Sequence, residues 1–281
     1  MTPPRGIAAM LTVRLAYSLS WQYESNAMRK VLIIGIGAGN PDYVTIQAIN
    51  ALNQVDVFFI PNKGREKEAL QRFRLEICER YIKDRDYRLA GFKTPERSKD
   101  PSDYKMNVQD WHSRIEQNYE KLLMEELGEG ECGAFLVWGD PTLYDSTLRI
   151  IGKIQSKGDF ALEYEVIPGI SSVQALAAKH RIALNRIGES IHITTGRKLA
   201  EGFPNNADSV VVLLDGEQRF KMIENTDIDI YWGAYVGTED EILVSGRLSD
   251  VVNDIEAIRA KARREKGWIM DAYLLRKSGE R

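Results

Sequence analysis

A chain of 281 residues, 43% hydrophobic and 28% charged, can bury a large core and has too much apolar content for a disordered segment. Its formal net charge of −3 excludes a globally cationic surface for nucleic acid, so an acidic partner has to be met by a local basic pocket. The two cysteines, Cys78 and Cys132, lie far apart with no CxxC or Cys/His cluster, which argues for a reducing compartment and against a structural metal site.

No run reaches the roughly 20 apolar residues of a membrane span. Residues 1–27 carry an apolar stretch, Gly6 to Thr12 after Arg5, but Arg14 interrupts it and no clean small-residue cleavage site follows. Met28 stands directly before a strand pattern and is read as the start of the folded chain. Residues 1–27 are therefore expected to be a disordered extension or a mis-assigned start, and Ser25-Asn26-Ala27 reads equally well as a cloning remnant.

Val31 to Ile34 is a continuous apolar run closed by Gly35, the pattern of a strand buried on both faces. Val44, Ala48, Ala51 and Leu52 then fall at helical spacing. Asp56 to Ile60 predicts a second strand stopped by Pro61, Lys67 to Ile82 a charged helix, and Tyr87 to Phe92 a third strand. Lys93 to Tyr104, with Pro95 and Pro101 among many charges, reads as a long loop. Trp111, Ile115, Tyr119 and Leu122 mark the next helix, and Ala134 to Trp138 and Tyr164 to Ile167 are the fourth and fifth strands. This alternation predicts a mainly parallel sheet with helices on both faces.

After Pro168 the rhythm changes. A helix from Ser171 to Lys179 leads to strands near Ile191 to Thr194, Val210 to Leu214, Ile228 to Tyr235 and Ile242 to Ser245. Val251, Ile255, Ile258 and Ala262 form a helical stripe before a last strand, Trp268 to Leu275. Several of these strands follow one another without room for a crossover helix, so a mixed sheet with antiparallel pairs is expected. The predicted organisation is two α/β domains, residues 28–168 and 169–281.

Three loops stand out. Gly35-Ile36-Gly37-Ala38-Gly39-Asn40-Pro41 follows the first strand with the spacing G-x-G-x-G, not the G-x-G-x-x-G of the dinucleotide fold, and no acidic residue closes the second strand to hold a ribose. Gly139-Asp140-Pro141-Thr142-Leu143-Tyr144-Asp145 follows the fourth strand, where Asp140 reads as a helix cap with Pro141 in the first turn. Pro168-Gly169-Ile170-Ser171-Ser172 follows the fifth, with Ser171 as a cap. In a parallel sheet all three reach the edge at which ligands bind.

Taken in order, G-I-G-x-G-x-P, W-G-D-P-x-L-Y-D-S, V-I-P-G-I-S-S and the T-T-G-R of Thr194 to Arg197 resemble the tetrapyrrole methylases. Trp232 to Thr238 and Gly267 to Arg276 are similar to the precorrin-6A synthase branch of that family, and the resemblance runs from about Met28 to Arg276. It implies a two-domain α/β tetrapyrrole methylase-like fold and a cytoplasmic homodimer that binds neither nucleic acid nor membrane. It also implies an S-adenosylmethionine-dependent methyltransferase of aerobic cobalamin synthesis. In that branch C1 of precorrin-5 is methylated with loss of its acetyl group as acetate.

The resemblance assigns the methyl donor to the cleft between the domains. By motif position Pro41, Trp138, Gly139, Asp140, Ser171 and Ser172 should touch it, Leu213 or Leu214 and Ala234 should pack against the adenine, and Ser245 and Gly246 should lie nearby. Many relatives carry methionine at the Leu213-Leu214 step, where leucine fills a similar volume. Gly37 and Gly39 should border the tetrapyrrole, and Lys63, Arg65, Arg186 and Arg197 should meet its carboxylates, since arginine grips carboxylate bidentately.

Deacetylation needs a base for water and a donor for the tetrahedral oxyanion. Asp145, Tyr144 and His112 are the candidates: the first two sit in the fourth-strand loop and the third at a predicted helix start. His180 and His192 read as structural, and Asp271, an acid within an apolar strand, requires a hydrogen-bonding partner. A precorrin methyltransferase acting at another ring position, a nicotinamide dehydrogenase and a non-catalytic tetrapyrrole carrier are the alternatives. Acetate release, adenosylhomocysteine binding and tolerance of blocked donor loops separate them.

Overall fold

Five short runs of the first half each form a strand of one sheet. They are β1 (Arg29–Gly35), β2 (Val57–Asn62), β3 (Arg88–Lys93), β4 (Cys132–Val137) and β5 (Leu162–Ile167), in the order β3-β2-β4-β1-β5, with every pair parallel. The structure is a computed structural model that describes residues 28–62, 68–93, 95, 104–204, 206–223 and 227–278. Residues 1–27 and most of the predicted loop between Lys93 and Tyr104 lie outside the described residues.

Helices cover both faces, as the alternation predicts. α1 (Ile46–Leu52) and α2 (Glu68–Tyr81) bury Ala48, Leu52, Phe73 and Ile77 against Leu32, Ile34 and Phe58. On the other face α3 (Tyr104–Glu126) and α4 (Thr147–Lys157) bury Ile115, Leu123, Ile151 and Ile154 against Val31, Ile33 and Phe59. Successive residues from Val31 to Ile34 thus feed opposite cores, so all four are apolar.

The last strand, expected from Trp268, starts at Asp271, and two further differences from expectation have clear physical reasons. Pro61 lies inside β2 rather than stopping it, opposite Phe92 of β3. The β2–β4 register has already ended at Phe59, so the missing Pro61 N–H costs no ladder bond on that side. The helix predicted to start at Asp140 starts at Thr147 instead, because the Asp140 carboxylate is spent on other backbone amides.

The second sheet contains β6 (Ile191–Thr195), β7 (Ser209–Leu213), β8 (Ile228–Ala234), β9 (Ile242–Arg247) and β10 (Asp271–Lys277), in the order β6-β7-β10-β8-β9. Only β6 and β7 pair in parallel, and the remaining pairs are antiparallel. α5 (Ser172–His180) packs on one face and α7 (Leu248–Lys266) on the other, while the short α6 (Gly196–Leu199) follows β6. Ser171 caps α5 as expected, accepting from Val173 N at 3.1 Å while Gln174 returns a bond to its backbone.

Asp271 finds the partners its position demands: Arg259 Nε at 2.8 Å and Trp232 Nε1 at 3.0 Å, with both charged side chains 6% exposed. His180 Nε2 pairs with the Trp232 carbonyl at 3.0 Å, a structural bond, whereas His192 is exposed on β6.

Candidate active site

Because β4, β1 and β5 are neighbours, the three glycine-bearing loops emerge side by side at the carboxyl edge of the first sheet. They are bonded to one another. Gly139 N donates to Gly37 O at 2.9 Å, and Gly169 N donates to Asp140 Oδ2 at 2.9 Å. A Cβ on Gly169 would come within 2.1 Å of Gly139 O, so the second and third loops touch backbone to backbone. Facing them are the ends of β6, β7 and β8, level with one another because Leu213 and Gly233 both oppose Ala272 and Thr195 opposes Leu213.

The two edges meet directly. A Cβ on Gly237, in the turn after β8, would lie 2.2 Å from Ala38 O, and Ala38, Tyr43 and Leu143 pack into the core between α5 and the second sheet. Beside this contact is a cavity of about 650 Å3 whose wall includes Pro41, Phe73, Trp138, Tyr235, Asp240 and Trp268. Such a volume lies within the roughly 300–1,000 Å3 of small-molecule sites.

Tyr144 crosses between the sheets, its hydroxyl donating to the Ile193 carbonyl of β6 at 3.3 Å. Its backbone is left-handed, with φ 55°, as is that of Leu214 at the end of β7, also φ 55°. Non-glycine residues rarely hold such angles, and they concentrate at functional sites. Burial works against charge on Asp140, but hydrogen bonds from Thr142 and Gly169 outweigh it and hold its pKa below the ordinary 3.8.

Residues 30–252 match the profile of the Tetrapyrrole (Corrin/Porphyrin) Methylases. The chain belongs to that family. It is 54% identical over 253 residues to the Precorrin-6A synthase [deacetylating] of Sinorhizobium sp, a match that spans 90% of this chain and 97% of that one. The crystal structure of a cobalamin synthesis related protein (CobF) from Corynebacterium diphtheriae superposes with a TM-score of 0.77 at 35% identity, over 90% of this chain and 100% of that chain. The uroporphyrin-III C-methyl transferase from Thermus thermophilus complexed with S-adenyl homocysteine shares the fold, with a TM-score of 0.52 at 15% identity over 88% of this chain and 91% of that one.

Within this methylase the motif loops gather Gly37, Gly39, Pro41, Trp138, Gly139, Asp140, Ser171 and Ser172 at one edge, and Pro41, Gly39 and Trp138 line the large cavity. Leu214 is 69% exposed at the facing edge, whereas Leu213 is packed into the core beside Leu176 and Leu274. The second leucine of the pair is therefore the one open to a ligand. Arg197 lies in α6, directly after β6 at the same edge.

Ala234 ends β8 at this edge, with its side chain buried in the core that includes Ile255 and Ala262 of α7. Three expected contacts are not brought to this edge. Ser245 and Gly246 oppose Tyr231 and Ile230, about 10 and about 13 Å back from Ala234 along β8 at roughly 3.3 Å per residue. Arg186 is held at the opposite end of the second sheet, ion-paired with Asp208 just before β7 and donating to Lys277 O at 2.7 Å. Lys63 and Arg65 lie outside the described residues, as does the side chain of His112 on α3.

Asp145 is exposed, accepts from Thr147 N at 2.7 Å at the start of α4, and rims a second, smaller hollow of about 100 Å3. Two polar residues of that hollow, Arg74 and Tyr119, were missed by motif reasoning. The signal for Arg74 was present in the sequence: an arginine at helical spacing between Leu70 and Ile77 interrupts the apolar stripe of α2, and it is 7% exposed. Burial pushes the Tyr119 hydroxyl up to about 12, so it stays protonated at neutral pH.

Proposed function

We propose that this chain is an S-adenosylmethionine-dependent C-methyltransferase of aerobic cobalamin synthesis, methylating C1 of precorrin-5 and releasing its acetyl group as acetate to give precorrin-6A. The observation that carries this reading is the 54% identity over 97% of a relative named for the deacetylating reaction. Residues 28–168 and 169–281 are proposed as its two domains. The donor is proposed to lie between them, held by Pro41, Trp138, Gly139, Asp140, Ser171 and Ser172, with Leu214 against the base.

The residues present suit such a donor. Aromatic faces at Trp138, Tyr235 and Trp268 share one cavity wall, and π faces favour a cationic nucleoside. When bound, the donor supplies a methyl group already activated by its sulfonium charge, so transfer rests on alignment in a dry cleft. Gly37 and Gly39 would border the macrocycle, with Arg197, Lys63 and Arg65 meeting its carboxylates. Asp145 would accept the proton of the water that attacks the acetyl carbonyl, and Tyr144, clamped to Ile193, would help close the cleft.

Anaerobic incubation with precorrin-5 and methyl-labelled donor tests the reading. Acetate and label should appear one for one in the same time course. Label incorporated with no acetate, or adenosylhomocysteine failing to bind, would overturn it. A cytoplasmic homodimer completes the proposal; two free, separated cysteines suit a reducing compartment, and light scattering that returns a monomer mass would remove the dimer.

A further inference from the structure

The pairing of β2 with β4 ends at Phe59 opposite Phe135, although both strands continue, and the gap that opens contains the hollow of about 100 Å3. Arg74 reaches into this gap from α2. The Val137 carbonyl faces β1, where Ile36 N takes it at 2.9 Å, and the Leu136 carbonyl on the other side is taken by Arg74 Nε, also at 2.9 Å. A second Arg74 nitrogen donates to Leu70 O at 2.8 Å, and the Asp145 carboxylate lies close enough to favour the guanidinium's charge. A buried guanidinium stays charged and retains N–H donors beyond those two bonds.

Tyr119 enters the same hollow from α3, fixed by stacking on Phe135 at 4.7 Å and by the edge of Phe92 at 5.3 Å. Asp145 forms the exposed rim, in the same turn as Asp140, so one short loop borders both the donor cleft and this hollow. Apolar rings at Phe59, Phe92 and Trp111 complete the wall. The space equals roughly three water volumes at ~30 Å3 each, enough for a two-carbon acyl group and one attacking water.

We propose that this hollow is the acetyl pocket, in which Arg74 and Tyr119 bind the carbonyl oxygen that leaves in acetate while Asp145 activates the water. This rests on the deacetylating reading above. Asp145 takes a proton from water as the oxygen bonds to the acetyl carbon, and the carbonyl electron pair moves onto the oxygen facing Arg74 and Tyr119. Collapse of that adduct breaks the bond to C1. The bonding pair remains on C1, spread over the conjugated ring, where methylation consumes it, and the two-carbon fragment departs as acetic acid and loses its proton. No redox partner is needed.

The test uses the full chain with precorrin-5 and labelled donor, comparing wild type with Tyr119→Phe and Arg74→Lys. Loss of one such donor should lower acetate release by roughly 10²-fold, with label incorporation falling in step and adenosylhomocysteine affinity unchanged. Tyr119→Phe removes a single oxygen and keeps the ring stack, so it reports even if Arg74→Lys folds poorly. Acetate release within threefold of wild type in Tyr119→Phe, or a loss matched by lost adenosylhomocysteine binding, overturns the pocket alone. A wild type that releases no acetate overturns the reading beneath it and the pocket together.

Discussion

Leu214 combines 69% exposure with a left-handed backbone, φ 55°, immediately after β7. A β-carbon in that region costs roughly 1–2 kcal/mol and an open leucine adds no burial to offset it, so folding gives no reason for a leucine there. Leu214→Gly should leave the urea midpoint equal or higher while weakening adenosylhomocysteine binding about tenfold by calorimetry. Unchanged affinity would dissociate this residue from the donor. Asp145→Asn should keep donor binding and lose acetate release, and near-normal release would dismiss it as the base. Motif order brought Asp140, Ser171 and the Leu213-Leu214 step to attention in the sequence, but only the folded chain's burial tells which leucine is open. Arg186 looked like a substrate contact because chain order says nothing about the sheet end at which its loop sits.

At the scale of elements, α5 ties the two edges together, its capping box leading directly out of the third glycine loop. His180 ends this helix and bonds the Trp232 carbonyl of β8. Burial, opposed by that carbonyl and by Glu241, lowers its pKa below 6.5. The unfolded chain then binds a proton first, so the associated stability is complete above pH 6.5 and is lost as pH falls from there toward the lowered folded value. Wild type should lose stability over that range, and His180→Gln, which cannot titrate, should show a flatter profile in urea midpoints. Identical slopes would refute the assignment. Strands and helices of the first half were readable because alternating burial on two faces leaves continuous apolar runs. α4 was displaced in the reading because Asp140 resembles a cap, while its carboxylate instead serves Gly169 in the neighbouring loop.

The whole molecule is two layered sheets joined through one small core, in which Ala38, Tyr43 and Leu143 meet α5 and the second sheet. Gly237, at φ 86° with its absent Cβ 2.2 Å from Ala38 O, sets how closely the halves approach. Gly237→Ala should destabilise the protein by about 2 kcal/mol and reduce adenosylhomocysteine affinity in the same variant. Intact affinity would show that this contact does not govern the cleft. No local sequence pattern exposes such a contact, since its partners are about 200 residues apart in the chain. The parting of β2 from β4 has a different consequence. Pro61 has no amide to extend the ladder past Phe59, so main chain as well as aromatic rings frames the gap. As the proposed acetyl pocket, it should admit a larger leaving fragment when those rings are replaced by smaller side chains.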